Sequence, residues 1–127
     1  MANTLTIEIS PGELADRISI LKIKKRRLHS DEKRAQAQLQ LDCLLDILSP
    51  PECKGGLLSI QLENVNELLW DVENAIRSCE HHKSFGVLFV LLSRMVYQLN
   101  DQRSRIKNEI DDSLSSTKME LKEYTTY

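Results

Sequence analysis

The sequence predicts an all-α protein of four main helices. The third and fourth form a long antiparallel hairpin, and a short extended arm precedes the first. Three observations carry this reading. Apolar residues recur at spacings of three and four along most of the chain. Four Gly and three Pro among 127 residues are too few for a turn-rich β fold. One loop signal stands out, the segment SPPECKGG at 49–56. A chain of this length, 41% hydrophobic and 28% charged, can close one core without disulfides or metals. The expected organisation is a single helical domain over 1–114 and a polar tail over 115–127.

Leu5, Ile7 and Ile9 alternate with polar residues, as a strand or extended arm does. The next segment, Ile9-Ser10-Pro11-Gly12-Glu13-Leu14, is a helix start. Ser10 fits the N-cap, Pro11 the first helical position, and Glu13 the far side of a capping box. Ile9 and Leu14 are spaced as a hydrophobic staple. Leu14, Ile18, Leu21 and Leu28, with Ile20 and Ile23 alongside, extend this helix to near His29. Ser30 caps a second helix, whose stripe is Leu41, Leu44, Leu45 and Leu48 and whose stop is Ser49-Pro50-Pro51.

The third helix spans about Leu57 to Glu80. Leu58, Leu62, Val65, Leu69, Val72, Ile76 and Cys79 form an unbroken heptad-like seam. A short connection, His81 to Ser84, returns the chain into a fourth helix from about Phe85 to Ser113. Leu88, Leu92, Met95, Leu99, Ile106 and Ile110 set its expected register. Val87 to Leu92 is apolar all round, which predicts burial on more than one side and makes homodimerisation an expectation.

Composition excludes several function classes. A net charge of −2 argues against a strong polyanion binder. Cys43, Cys53 and Cys79 form no CxxC pair and no disulfide framework, so no metal site is expected. No stretch approaches the ~20 apolar residues of a membrane span. Residues 1–10 lack a basic start and an apolar core of signal-peptide length, which makes the cytoplasm the expected location.

Two constellations could carry chemistry. Lys22, Lys24, Lys25, Arg26 and Arg27, continued by Lys33 and Arg34, form a basic run. Of these, Lys22, Lys25 and Arg26 share a face and form a weak candidate anion site. No aromatic residue lies among them to stack on bases, so nucleic-acid binding ranks last. The second constellation is a polar stripe on helix three: Asn66, Trp70, Glu73, Arg77 and Glu80. Glu73 and Arg77 are spaced for an ion pair. Tyr97, Asn100, Asp101, Arg103 and Lys107 offer a polar face on helix four, and Glu13, Asp16 and Arg17 one on helix one. If these faces meet, they form either a satisfied structural network, the first expectation, or a charged cleft of Glu13, Asp16, Trp70, Glu73, Arg77, Asn100, Asp101 and Arg103. Trp70 would then be at least half buried.

Glu13 and Asp16 share the ExxD spacing of all-helical nucleotide pyrophosphatases, but the acidic helix those enzymes place first comes later here. There is no Gly-rich phosphate loop and no hydrolytic triad.

Three blocks, Ile9 to Lys24, Glu67 to Glu80 and Phe85 to Asp111, resemble a bacterial and phage family catalogued as a domain of unknown function. The residues matching its motifs are Ser10, Gly12, Glu13, Leu14, Lys24, Leu69, Trp70, Glu73, Arg77, Asn100, Asp101 and Arg103. The resemblance implies an all-helical fold and an association with glycosyltransferases of surface-polysaccharide synthesis. It implies no activity and no catalytic residue.

The leading expectation is therefore a non-catalytic binding or adaptor module linked to surface-glycan assembly, with a protein partner or a second copy. The alternative is a metal-dependent or acid–base enzyme on a phosphorylated or nucleotide-sugar substrate, in which the polar faces converge on one pocket. The sequence names no cofactor.

Overall fold

Ser10 starts the first helix. Its Oγ accepts the Glu13 amide at 3.1 Å, and Pro11 fills the first turn of α1 (Pro11–Arg27). The Glu13 carboxylate, expected to close the capping box, instead pairs with Arg17 and Lys107. Ile9 is half buried against the core that holds Leu14, as a staple requires. The helix stops at Arg27, where the Leu28 amide returns to the Lys24 carbonyl. Ser30 Oγ then accepts the Lys33 amide at 3.2 Å and opens α2 (Asp31–Ile47). Arg34 ties this turn together through the Leu28 carbonyl and the Asp31 carboxylate.

The computed structural model describes residues 3–47 and 56–114. The proline stop after α2, Leu48 of its stripe, most of the 49–56 loop and the tail over 115–127 lie outside the described residues. Ahead of α1, residues 3–10 have neither helix nor strand. Leu5 and Ile7 are exposed, so their alternation meets no partner strand among the described residues.

The spine is the hairpin of α3 (Leu57–His81) and α4 (Val87–Ser113). At ~1.5 Å per residue, α4 is about 40 Å long. Every seam position expected on α3 is buried or half buried. Helix α1 packs on both members of the hairpin, while α2 packs on α1. No helix among the described residues is long and apolar enough to cross a membrane.

The register of α4 corrects the sequence reading in its first half. Leu88 and Met95 are exposed, whereas Phe89, Leu92 and Val96 face the core. The buried line is Phe89, Leu92, Val96, Leu99, Ile106 and Ile110, with Arg103 at the intervening heptad position. An apolar run satisfies two adjacent registers equally well, so periodicity alone cannot choose between them. Nor is the run buried on more than one side: Val87 is 76% exposed, and Leu88, Val90 and Leu91 are exposed too.

The hairpin turn is built without a glycine where one is favoured. Helix α3 ends in paired returns, Ser84 N to Cys79 O at 2.8 Å and Lys83 N to Glu80 O at 3.1 Å. This geometry needs a left-handed residue, and Lys83 supplies it at φ 53. A β-carbon is strained there. Lys83→Gly should therefore raise stability by ~0.5–1 kcal/mol, read as a higher urea midpoint with an unchanged m-value.

Candidate functional site

The expected polar faces meet only in part, and they meet around Asp16. Its position on α1 follows from packing. Gly12 brings the first turn of α1 so close to α4 that a Cβ there would overlap the Lys107 carbonyl oxygen and lie 3.0 Å from Asp111 Oδ1. One turn on, Asp16 points between α3 and α4 and is 1% exposed.

A carboxylate this deep needs its lone pairs filled. Arg103 does most of it in a two-pronged contact, Nε to Oδ1 at 2.9 Å and an Nη to Oδ2 at 2.7 Å. Asn66 Nδ2 donates to Oδ1 at 2.9 Å and to Ser19 Oγ at 2.6 Å. Ser19 Oγ donates to the Asp16 carbonyl oxygen at 2.8 Å. The Lys107 ammonium, only 5% exposed, sits 3.9 Å from Oδ2 and 2.8 Å from Glu13 Oε2. Asn100 joins at the edge, its Oδ1 accepting from Arg103 at 3.4 Å.

A second buried carboxylate stands at the start of α1. Asp111 Oδ1 accepts the Gly12 amide at 2.7 Å. It thus fills one of the four amide positions that a helix N-terminus leaves open, and it places negative charge at the positive end of the dipole. Along α4, Ser104 Oγ, Asn108 Oδ1 and Asp111 Oδ2 are buried without a hydrogen-bond partner among the described residues.

Of the expected cleft, Glu13, Asp16, Asn100 and Arg103 come together. Trp70, Glu73, Arg77 and Asp101 do not join them. Glu73 and Arg77 are exposed, and no ion pair links them among the described residues. Trp70 is half buried with the Arg27 guanidinium 6.0 Å above its ring. The basic run is divided. Arg26 binds Glu63 at 2.6 Å and Glu67 at 2.9 Å, while Arg27 binds Glu67 at 3.0 Å and Asp71 at 2.6 Å. The hydrogen bond to Glu63 raises the Arg26 pKa, and that to Asp71 raises the pKa of Arg27. Arg26 is thereby turned away from the anion face expected with Lys22 and Lys25, and toward α3.

Sequence reasoning missed Ser19 and Asp111. The signal for Asp111 is the i,i+4 ladder Arg103, Lys107, Asp111, which runs beside Ile106 and Ile110. Chemically, the Asp16 cluster is a set of paired charges, its carboxylate accepting three hydrogen bonds from Asn66 and Arg103. No three His, Cys, Asp or Glu side chains converge to hold a metal among the described residues.

The chain belongs to a family of unknown function, DUF6165, which it matches over residues 5–127. No curated protein and no solved structure matches it.

Two substitutions test the geometry by chemical denaturation. Gly→Ala in a helix ordinarily stabilises by up to ~1 kcal/mol. Gly12→Ala should instead destabilise by ~1–3 kcal/mol, because the methyl has no room beside Lys107. Asp16→Ala should cost ~3–5 kcal/mol, since it removes the buried carboxylate that Arg103 grips at both oxygens and that Asn66 donates to.

Proposed function

We propose that the chain is a non-catalytic binding module whose partner surface is the free end of the α3–α4 hairpin. One observation carries the reading. Phe85, Val87, Leu88, Val90, Leu91 and Met95 are all exposed at that end, from 39% to 76%. They are close together in sequence on one end of one helix, and contiguous exposed apolar surface of this kind marks an interaction site. The state of the Asp16 cluster supports the same reading. Its charges neutralise one another, whereas an acid–base enzyme needs a group left free to exchange protons with substrate.

The simplest partner for such a surface is a second copy. Two hairpin ends packed on each other by a two-fold axis complete a four-helix arrangement, and each buries the other's apolar residues. A bacterial or phage setting and a role beside surface-polysaccharide assembly belong to this proposal on the strength of the sequence resemblance. The competing enzyme reading would need Glu73, Arg77 and Asp101 beside Asp16, and they lie outside its cluster.

Sedimentation velocity over a concentration series tests the proposal. A concentration-dependent dimer is expected. Val87→Glu with Leu91→Glu should abolish it while changing stability by no more than ~0.5 kcal/mol, as exposed substitutions do. A chain that stays monomeric at every concentration, and that a nucleotide sugar with Mg²⁺ protects against heat, would overturn the reading in favour of an enzyme.

A further inference from the structure

A groove runs between α1 and α2 on the side of the molecule that the Asp16 cluster does not use. Its volume is about 580 Å³, within the ~300–1,000 Å³ typical of small-molecule sites. Ile20 and Leu21 from α1 and Leu39 and Leu44 from α2 make its walls apolar. Leu39 is 67% exposed, a large cost in water for a residue on a two-helix lip. Gln40 and Cys43 complete the α2 side.

The charge of the groove is one-sided. Arg17 and Lys24, two turns apart on α1, are its only ionisable lining residues besides Cys43 among those described, and no carboxylate lines it. Arg17 makes one half-exposed contact along its own helix, to Glu13 at 3.4 Å, which leaves its remaining guanidinium donors facing water. Lys24 is exposed, and no ion pair engages it among the described residues. Of the other cations at this helix end, Arg26 and Arg27 are taken up by Glu63, Glu67 and Asp71, and Lys25 does not line the groove. The groove thus combines an aliphatic floor with two available positive charges along one wall.

We infer that the α1–α2 groove binds an anionic amphiphile: a single aliphatic chain along Ile20, Leu21, Leu39 and Leu44, with its carboxylate or phosphate head between Arg17 and Lys24. Charge complementarity selects this occupant over a neutral chain, and the apolar walls select it over a bare anion. Gln40 adds an amide donor opposite the cations. The site is separate from the hairpin end proposed above, so neither reading depends on the other.

Cys43 makes the site readable. It is an exposed thiol in the groove wall, whereas Cys79 is buried in the core and serves as an internal control. In a Cys53→Ser background, maleimide labelling of Cys43 is followed by peptide mass spectrometry. Dodecanoate, dodecyl phosphate, dodecanol and inorganic phosphate are each titrated below the concentration at which Cys79 begins to react. Both anionic chains should slow Cys43 labelling at least tenfold at saturation. Dodecanol should require at least a tenfold higher concentration, and phosphate should not protect. The head group that protects at the lower concentration identifies the carboxylate or the phosphate source. Arg17→Gln with Lys24→Gln should abolish the preference for the anionic chains while leaving the weak effect of dodecanol in place; a melting curve checks that the variant is folded.

Equal protection by dodecanol and the anionic chains would overturn the inference, as would protection by phosphate alone or no protection by any of them. So would Cys43 reactivity that falls with protein concentration before any ligand is added, which would mean that a second copy covers the groove.

Discussion

The Asp16 carboxylate is the constraint around which the rest is arranged. A charge almost wholly removed from water is tolerated only if its partners come to it with good geometry. Here they come from two other helices, Asn66 from α3 and Arg103 with Lys107 from α4, while Ser19 on α1 accepts from Asn66 and donates to the Asp16 carbonyl oxygen. The hydrophobic seams of the hairpin would allow α1 to slide or rotate over them, because apolar contact is non-directional. The two-pronged Arg103 contact is not so permissive. It fixes the height of α1 against α4, and Gly12 fixes its distance. Helix α2, which packs on α1, inherits its place from both.

Much of the fold was legible because its signals are local. Ser10 and Ser30 announce two helices through hydrogen bonds that span three residues. The α3 seam announces the hairpin through spacing alone. The rest was not legible, for two physical reasons. A run such as Val87 to Leu92 carries no contrast between faces, so it cannot say which side turns inward; only the third-dimension partner, Phe89 and Val96 against α3, decides. Ionic partners are also chosen by the angle at which helices cross. Glu73 and Arg77 lie on the same helix as Asn66, yet both are exposed, and the α1 cations that reach α3 pair with Glu63, Glu67 and Asp71 instead. Arg103 could be read as polar, but nothing in the sequence says that it takes a core position opposite a buried aspartate.

The same crossing separates what is closed from what is open. Where α1 lies on the hairpin, the Asp16 carboxylate is paired, although Asp111 Oδ2 beside the start of α1 has no hydrogen-bond partner among the described residues. Beyond it, the first turns of α4 carry aliphatic side chains into solvent, and the outer side of the α1–α2 pair places leucines beside Arg17 and Lys24. The hairpin end is apolar, and the α1–α2 groove is apolar with two basic residues on one wall.

The bond from the Gly12 amide to Asp111 has a temporal consequence. It joins positions 99 residues apart, so α1 is completed by a residue in the last turn of α4. During synthesis at ~5–20 residues per second, α1 must wait several seconds for its acceptor to leave the ribosome. Until then Leu14, Ile18 and Leu21 have no hairpin to cover them, although α2 is already available as a temporary cover. The nascent chain is thus expected to hold an α1–α2 pair in reserve and to dock it in a single late event, when α4 emerges whole.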